Sequence, residues 1–471
     1  MIKKVCVVGG GNAGLMPALI LKTRFPNLDI DLIKSDKIGI IGVGEGSTEH
    51  FKEFMDFCGI TGEEIIKETG ATYKLGVYFK NWLKHDYVHC VLNVITSATF
   101  GQYRAGYAYA TINNLKPKKY TPPTIFDSSI ISDDVPFQFH FNTFKLNEFL
   151  LKKCRDRGIN VIDDEILDLK VSKNKITSLI GKNKKHKNYD FYIDSTGFKK
   201  VLISKLGAKW KSYKKFLPLN EAIAFQTKDT KEYPVVTQAI KMKYGWMWRI
   251  PTQGRWGNGY VFNNKYIDKD KAKKEVEKYL KQKITIAKNI QFEAGALEKS
   301  WIGNCLATGL AASFIEPLEA SSIGTTIQQS FLLIHMIANY SEKDVDFYNK
   351  KFTELVENIR DFVALHYYYD KNVVLPDSLK NNIKKWKNRL PIYEDFENSY
   401  LLFKDPNFII LLKEYGLFNK KNIKYEYNLL PNHLKQSVLK SYKNFNDFYK
   451  TSIRQSHKKY LENIVNENYS R

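Results

Sequence analysis

Three glycines near the N-terminus have the spacing of a cofactor-binding turn, and they are Gly9, Gly11 and Gly14. An apolar run at residues 4–8 precedes them, a helical pattern follows, and a second apolar run lies at residues 30–33. In such a unit, the first glycine makes a tight turn, the second lets the backbone approach a pyrophosphate, and the third lets helix and strand pack closely. The free N–H groups that begin the helix then face the anion. The sequence therefore predicts a dinucleotide-binding unit over residues 1–36.

The neighbours of these glycines extend the prediction. Asn12 and Ala13 lie inside the turn, so their backbone would contact the cofactor. An acid at the end of the second strand would bind the cofactor's ribose. Lys34, Ser35 and Asp36 occupy that place, so the sequence leaves ribose recognition undefined.

The stretch GWMWRIP, residues 245–251, places two of the seven tryptophans, Trp246 and Trp248, two positions apart. Because successive side chains of a strand point to opposite faces, both indoles would lie on one face. Paired aromatics of this kind are usually core packing. The pair alone predicts a strand with an indole wall and leaves the purpose of that wall open.

Length and composition describe a large globular protein. With 471 residues, 43% of them hydrophobic, the chain can form two or three domains or one large core with additions. No run of about eighteen apolar residues occurs, and the N-terminus lacks a signal peptide's apolar block, so we expect no membrane segment. The five cysteines are scattered without a CxxC pair. This predicts reduced thiols, no zinc site and a cytoplasmic location.

The formal net charge of +23 raises the question of nucleic-acid binding. Lysine greatly outnumbers arginine, and Lys, Asn, Ile and Tyr are abundant throughout, which fits an AT-rich genome at least as well as a phosphate-binding face. The lysines are diffuse apart from short groups at 182–187 and 420–421, which are typical of solvated turns. We therefore expect no nucleic-acid partner, although a cationic surface attracts small anions.

Helical and strand patterns alternate along the rest of the chain. Residues 61–64 (TGEE) predict a capping box, and residues 143–157 predict a helix. Residues 159–195 predict strands with a Lys/Asn-rich hairpin, and residues 215–265 predict sheet. From Ile323 the pattern is largely helical. This order predicts a mixed α/β fold, and it contains no internal repeat.

Further motifs follow the glycine turn in a fixed order. They are GVGEG at 42–46, ATYK at 71–74, FKNW at 79–82, DSTGF at 194–198, WIGN at 301–304, FIEPLE at 314–319, and RDF at 360–362 with His366. Together with GWMWRIP, this order resembles the flavin-dependent halogenases, in the branch that includes the tryptophan halogenases. The resemblance runs from residue 1 to about 370, and the combination of GWxWxIP with the lysine segment is specific to that family.

The resemblance implies a Rossmann-type FAD-binding domain of the flavin monooxygenase type, with a sheet-rich insertion and a helical C-terminal substrate region. We expect the FAD-binding halogenase core over residues 1–370, its sheet-rich substrate side over about 80–265, and a helical covering region over 371–471. The implied cofactor is FAD, reduced by a separate flavin reductase, and it acts with a halide ion and molecular oxygen. A dimer is one assembly that the family allows. The residues implied to bind the flavin are Gly9, Gly11, Asn12, Ala13, Gly14, Gly44, Glu45, Asp194 and Gly197.

The resemblance also implies a chemistry. Reduced FAD, oxygen and halide supply hypohalous acid, which the family is held to pass through an internal tunnel to a lysine, here Lys74. That lysine either donates a hydrogen bond to the oxidant or becomes a haloamine, and burial between apolar walls would lower its pKa. Glu319 would polarise the oxidant or take the proton that the aromatic ring loses. Trp246 and Trp248 would separate the flavin from the substrate.

The chain departs from the family pattern after EPLE. There the family has Ser-Thr-Gly, whose Thr and Gly N–H groups bind the halide, and this chain has Ala320, Ser321 and Ser322. Because N–H groups persist whatever the side chain, Ser321 and Ser322 remain the implied halide-binding residues. Ser322 in place of Gly would restrict positive φ, so we expect a halide pocket of altered size or polarity.

The C-terminal region matches the family poorly. In tryptophan halogenases it supplies aromatics that sandwich the indole and a tyrosine pair that holds the amino-acid end. The best counterpart is FKDPNFI at 403–409, with Phe403 in place of tryptophan and Phe408 with Ile409 in place of the tyrosines. Without those hydroxyls the site discriminates poorly for a zwitterion, which disfavours free tryptophan. We expect small electron-rich aromatics such as phenols, anilines and indoles.

Two other functions stay open at this point. A flavin-dependent aromatic monooxygenase on the same scaffold would need an NADPH site, and the sequence has no second glycine fingerprint. A cationic binding protein that had lost the chemistry would have no need of Lys74, Glu319 and both tryptophans.

Other residues have plainer explanations. As an alternative to flavin binding, Glu45 would simply cap the helix that follows it, and Lys80 is more simply structural. Four histidines show no metal-ligand spacing and no nearby acid, so we treat them as ordinary residues: His50, His85, His89 and His140.

Overall fold

The structure, a computed structural model, describes residues 2–42, 45–90, 103–130 and 137–466. Its strands are β1 (Lys4–Val8), β2 (Asp29–Lys34), β3 (Thr72–Lys74), β4 (Gly76–Lys80), β5 (Tyr87–His89), β6 (Ser129–Ile130), β7 (Gln138–His140), β8 (Asn160–Asp163), β9 (Ile166–Ser172), β10 (Lys175–Gly181), β11 (Lys185–Lys187), β12 (Phe191–Asp194), β13 (Trp210–Ser212), β14 (Glu221–Lys228), β15 (Val236–Lys241), β16 (Gly245–Thr252), β17 (Arg255–Phe262), β18 (Ile286–Gln291), β19 (Gly295–Leu297), β20 (Trp301–Ile302), β21 (Cys305–Ala307), β22 (Ser313–Phe314) and β23 (Gln455–Ser456).

The α-helices are α1 (Asn12–Arg24), α2 (His50–Phe57), α3 (Gly62–Thr69), α4 (Tyr103–Ile112), α5 (Thr124–Asp127), α6 (Thr143–Asp156), α7 (Lys269–Leu280), α8 (Ser321–Ile334), α9 (Glu342–Leu365), α10 (Asp377–Trp386), α11 (Asp405–Glu414), α12 (Lys420–Leu429), α13 (Asn432–Thr451) and α14 (His457–Asn466). Short 3-10 helices include Gly197–Lys199, Gly309–Ala311 and Pro317–Glu319. None of these described helices is long and apolar enough to cross a membrane.

The glycine turn belongs to a six-stranded sheet in the order β20-β21-β12-β1-β2-β8. β1 pairs in parallel with β2 and β12, and α1 makes the crossover to β2. The apolar side chains of β1 are buried, as expected for a strand covered on both faces. The predicted order of strand, turn, helix and strand is therefore present at the N-terminus.

GWMWRIP lies in β16, inside a seven-stranded sheet in the order β18-β14-β17-β16-β15-β4-β5. β4 and β15 run parallel, whereas the other neighbours are antiparallel. Trp246 and Trp248 share one face, with ring centroids 6.1 Å apart, and pack into the main core. Met247 faces the other way, into a smaller core beneath α7. The strand and its common indole face are confirmed.

Several local predictions also agree with the structure. Thr61 and Glu64 form a reciprocal capping box at the start of α3. α6 occupies the predicted helix, and the side chain of Asn142 caps it. The hairpin of β10 and β11 carries the predicted lysine-rich turn. All five cysteines are buried and free.

Candidate functional site

A cavity of about 460 Å³ opens at the carboxyl ends of β1 and β12. In parallel α/β sheets, ligands bind at this end of the strands. Predicted residues in its walls are Gly9, Gly11, Asn12, Ala13, Glu45, Gly197, Trp248 and Ser322.

The glycine turn has the geometry that a dinucleotide phosphate needs. Gly9 has φ of +121°, and a Cβ there would lie 2.3 Å from the carbonyl oxygen of Ser195. A Cβ on Gly14 would lie 2.1 Å from the carbonyl oxygen of Gly9, whereas one on Gly11 would meet nothing within 4 Å. Gly11 caps α1 without a side chain, so the first N–H groups of the helix stay available to an anion. These residues fit a flavin dinucleotide.

Two predicted flavin residues act from behind the cavity wall. Gly14 packs against the turn and is not a wall residue. Asp194 is fully buried, and its carboxylate accepts backbone hydrogen bonds from Thr196, Leu202 and Ile203, which fixes the loop that carries Gly197. Gly44 lies outside the described residues. At the end of β2, Asp36 lines the cavity and pairs with Lys34.

Glu45 has a different role from helix capping. Its carboxylate accepts a hydrogen bond from Arg255 of β17 at 2.5 Å, while the N-cap of α2 is Glu49. Gly257 makes room for this pair, because a Cβ there would lie 1.4 Å from Oε2 of Glu45. Burial raises the pKa of Glu45, and Arg255 opposes that rise. The structure does not support the alternative of a helix cap, since the carboxylate pairs with the partly buried Arg255.

A second, smaller cavity has a volume of about 20 Å³, which is room for about one water molecule. Lys74 and Glu319 both line it, so the two predicted catalytic residues come together. The other described residues in its walls are Thr48, Glu49, Leu75, Gly76, Val77, His89, Gln138, Phe403 and Asn407.

Lys74 ends β3 and is only 2% exposed. Its Nζ donates a hydrogen bond to the backbone oxygen of Ser47 at 2.5 Å. Burial lowers the pKa of Lys74 to about 8, against the opposing charges of Glu319 and Glu49. A lysine with this pKa is in part a neutral amine at neutral pH, which an exposed lysine is not.

Glu319 is bracketed by two histidines. Its Oε2 lies 2.9 Å from Nδ1 of His89 in a hydrogen bond, and its Oε1 lies 3.0 Å from Nε2 of His366, outside good hydrogen-bond geometry. Burial alone would raise the pKa of Glu319, but the charge and hydrogen bond of His89 and the nearness of His366 hold that pKa at about 2. The carboxylate therefore stays charged beside the lysine.

Both histidines are themselves held in place. Nε2 of His89 lies 3.2 Å from the amide nitrogen of Asn407. Nδ1 of His366 lies 2.8 Å from the hydroxyl of Tyr87, which lies 3.2 Å from the hydroxyl of Tyr415. Treating His89 as an ordinary residue was wrong, because the acid it contacts lies 230 positions away and no local spacing reveals it.

A single 3-10 turn and one strand separate the two cavities. Pro317 and Leu318 face the large cavity, whereas Glu319, the next residue, faces the small one. Val77 of β4 lines both. Glu316 anchors the turn, since it is fully buried and accepts a hydrogen bond from the hydroxyl of Tyr367 at 2.5 Å.

The tryptophans lie on the side of the large cavity. Trp248 forms part of its wall, and its indole crosses Gly259 of β17, where a Cβ would lie 2.0 Å from Cη2. Trp246 is 1% exposed and lines neither cavity, so it supports Trp248 from the core.

The predicted halide residues begin a helix. Ser321 and Ser322 are the first residues of α8, which has no side-chain cap, so their N–H groups have no partner within the helix. The left-handed residue is Ala320, with φ of +53°. Ser322 is helical and carries no such strain, so the expected restriction at Ser322 was misplaced by two positions.

The two predicted substrate residues diverge. Phe403 lines the small cavity and stacks on Phe362 with centroids 4.0 Å apart. Phe408 packs against Phe362, Trp386 and Phe396, and it lines neither cavity. The interleaved Asn407 reaches the site instead.

The parallel sheet, the dinucleotide cavity and the separate lysine–carboxylate pocket together define a cofactor-dependent α/β enzyme with two chambers. The family model described as tryptophan halogenase matches residues 4–425. The chain belongs to this family and is a flavin-dependent halogenase.

Individual relatives agree with this family. The chain is 28% identical to 7-chloro-L-tryptophan 6-halogenase KtzR of Kutzneria sp. (strain 744), over 82% of this chain and 85% of that protein. It is 29% identical to tryptophan 6-halogenase SttH of Streptomyces toxytricini, over 84% and 86%. The crystal structure of SttH superposes with a TM-score of 0.88 at 26% identity, covering 98% of this chain and 99% of that one. The predicted family, enzyme class and fold are confirmed.

Proposed function

We propose that the chain halogenates small electron-rich aromatics such as phenols, anilines and indoles, with Lys74 receiving the oxidant. Bound reduced FAD would supply hypohalous acid from oxygen and halide on its side of the turn. The observation that supports this proposal best is the partition itself, because the dinucleotide cavity and the Lys74–Glu319 pocket share one wall. An oxidant made on one side would have to pass this wall to reach the ring, and Lys74 lines the far side of it.

On the cofactor side, the glycine turn and the loop at Gly197 would hold the flavin, with Trp248 closing the wall. The halide would bind at the N-terminus of α8, where the N–H groups of Ser321 and Ser322 and the positive end of the helix favour an anion. The hydroxyl of Ser322 adds a further donor at the cavity surface.

On the substrate side, the neutral amine of Lys74 would accept the halogen from hypohalous acid and give up a proton, so that water is released. The aromatic ring would then take the halogen from nitrogen, and the ring proton, passed on through Glu319, would restore the amine. Glu319 would stabilise the positive charge that develops on the ring and accept its proton. A carboxylate with a pKa of about 2 is a weak base, but the halogenated ring is a strong acid before it loses that proton.

The proposed substrate is not free tryptophan. Phe403 offers a ring for stacking, provided that the cavity, about 20 Å³ in this structure, widens to admit the substrate. Phe408 and Ile409 are buried and bring no hydroxyl to the pocket. The relatives named above carry tryptophan halogenase names, so tryptophan is the comparison substrate that matters most.

The test is mass spectrometry of products. The protein would receive FAD, a separate flavin reductase, NADH, oxygen and mixed chloride, bromide and iodide, with a panel of phenols, anilines, indoles and tryptophan. Lys74→Met should abolish halogenated product while flavin oxidation continues, and Lys80→Met, at an exposed lysine of β4, should not. Hydroxylated product alone would instead support a monooxygenase. Efficient halogenation of tryptophan would overturn the substrate proposal.

A further inference from the structure

The family model ends at residue 425, yet the chain beyond it returns to the lysine strand. β23 pairs antiparallel with β6, and α14 then begins at His457. We call residues 455–461 the C-terminal latch. His457 and Leu461 point inward and are buried, at 0% and 1% exposed.

The imidazole of His457 contacts Tyr73, the neighbour of Lys74 in β3. Its Nε2 is 3.0 Å from the backbone nitrogen of Tyr73, the residue before Lys74 in β3. Its Nδ1 is 2.9 Å from the carbonyl oxygen of Tyr233. Because an amide N–H only donates and a carbonyl only accepts, the ring must be neutral with its proton on Nδ1. Burial lowers the pKa of His457 to about 4, which agrees with that state.

The two hydrogen bonds of His457 stand where a direct backbone hydrogen bond between the Tyr73 and Tyr233 segments would continue their parallel pairing. Gly76 pairs in parallel with Val236, and the N–H of Leu75 donates directly to the oxygen of Val235 at 2.6 Å. Tyr73 and Tyr233 lie three positions earlier in each segment, in the same register. There the segments have separated, and the imidazole fills the gap as donor and acceptor.

Other contacts fasten the latch to the same segment. The hydroxyl of Ser456 donates to Glu232 at 2.6 Å, and Nζ of Lys458 lies 2.7 Å from Asp229. The rings of Tyr73 and His457 stack with centroids 5.9 Å apart. The latch therefore contacts both β3 and the segment that carries Tyr233, on the two sides of the gap.

We infer that His457 is a positioning residue for Lys74, and that the C-terminal latch sets how far β3 stands from the Tyr233 segment. This inference rests on the proposed role of Lys74. Without the imidazole, the hydrogen bonds from the N–H of Tyr73 and to the carbonyl of Tyr233 are lost, and β3 can shift to form a direct bond between the two segments. Such a shift would move Nζ of Lys74 away from the oxidant's path.

The test compares His457→Phe, which fills the volume without hydrogen bonds, with His457→Gln, whose amide offers one donor and one acceptor. Lys459→Ala, at an exposed position of the latch, is the matched control. Each full-length variant would be assayed with indole and bromide for brominated product per NADH oxidised, and for FAD affinity. Hydrogen exchange of a peptide spanning residues 70–76 would include the amide of Tyr73.

We expect His457→Phe to lower product per NADH at least tenfold and to speed exchange at residues 70–76, with FAD affinity unchanged within twofold. His457→Gln should recover most of both. Unchanged coupling in His457→Phe would overturn the inference, and so would a joint loss of coupling and FAD affinity that His457→Gln does not rescue. If Lys74→Met still brominates, the proposed function fails. The exchange measurement tests the contact between His457 and Tyr73 independently of that function.

Discussion

Gly259→Ala should weaken FAD binding through Trp248. An added Cβ would lie 2.0 Å from Cη2 and 2.1 Å from Cζ2 of that indole. Because carbon atoms rest about 3.5–4.0 Å apart, the ring must move by roughly 1.5–2 Å. β16 is held between β15 and β17, so the indole moves toward the cavity that its face lines. Overpacking of this kind costs about 1–3 kcal/mol of folding free energy. The part of this cost that the flavin must bear by pushing the indole back weakens binding, by up to about 150-fold in the Kd for FAD.

Titration of the apoprotein with FAD, followed by flavin fluorescence, measures this effect. Trp248→Phe lacks the clashing atoms, so Gly259→Ala should cost little in that background, and the four proteins form a double-mutant cycle. Gly62→Ala is the control, because a Cβ there lies 3.4 Å from Phe139, an ordinary contact. A Kd within twofold of wild type for Gly259→Ala, or no coupling with Trp248→Phe, would refute the idea that Trp248 shapes the flavin wall.

The pKa of Lys74 is about 8, and the amine is the reactive form in the proposed reaction. The rate of halogenation, measured in single turnovers with saturating reduced FAD, should therefore rise as the pH is raised through 8. A rate that falls over this range would favour the ammonium as a hydrogen-bond donor. Glu319→Gln should slow halogenation about 10²-fold or more and lower the pKa of Lys74, moving the same limb to lower pH. Arg255→Leu leaves the buried Glu45 unpaired and should lower the free energy of unfolding by about 3–5 kcal/mol. Adding Glu45→Gln should restore much of this loss. Denaturant titration of the single and double variants measures both effects. The folded-state pKa of His457 is about 4, below its unfolded value. Its contribution to the free energy of unfolding is therefore fully present above about pH 6.5 and is lost as pH falls toward 4, by about 1.4 kcal/mol per pH unit. Denaturation measured over this pH range should show a shallower dependence of the unfolding free energy on pH in His457→Gln.

Local patterns predicted the features that depend on local geometry. The glycine turn was predictable because its steric requirements lie within a few residues, and the common face of Trp246 and Trp248 follows from the period of a strand. The family motifs predicted catalytic roles for Lys74 and Glu319, and both residues line the small cavity.

Contacts between distant segments were not predictable in this way. His89 meets Glu319 across 230 positions, and His457 meets Tyr73 across 384, so no spacing rule connects them. The backbone conformation after EPLE was also misplaced, because a family glycine suggested positive φ at Ser322 whereas the turn puts it at Ala320. Phe408 was a reasonable aromatic candidate, but the turn of α11 directs Asn407 to the pocket.

The C-terminal latch has a consequence for how the protein is made. The sheet that carries the glycine turn can be assembled once β21 has been synthesised, whereas the partner of Tyr73 is added much later. Domains form as the chain emerges, and contacts of long sequence separation form slowly. A nascent chain can therefore build its cofactor chamber while its lysine strand still lacks the imidazole. Ribosome stalling before residue 457 would leave a chain that has the residues of the large cavity but lacks the imidazole that bonds to Tyr73.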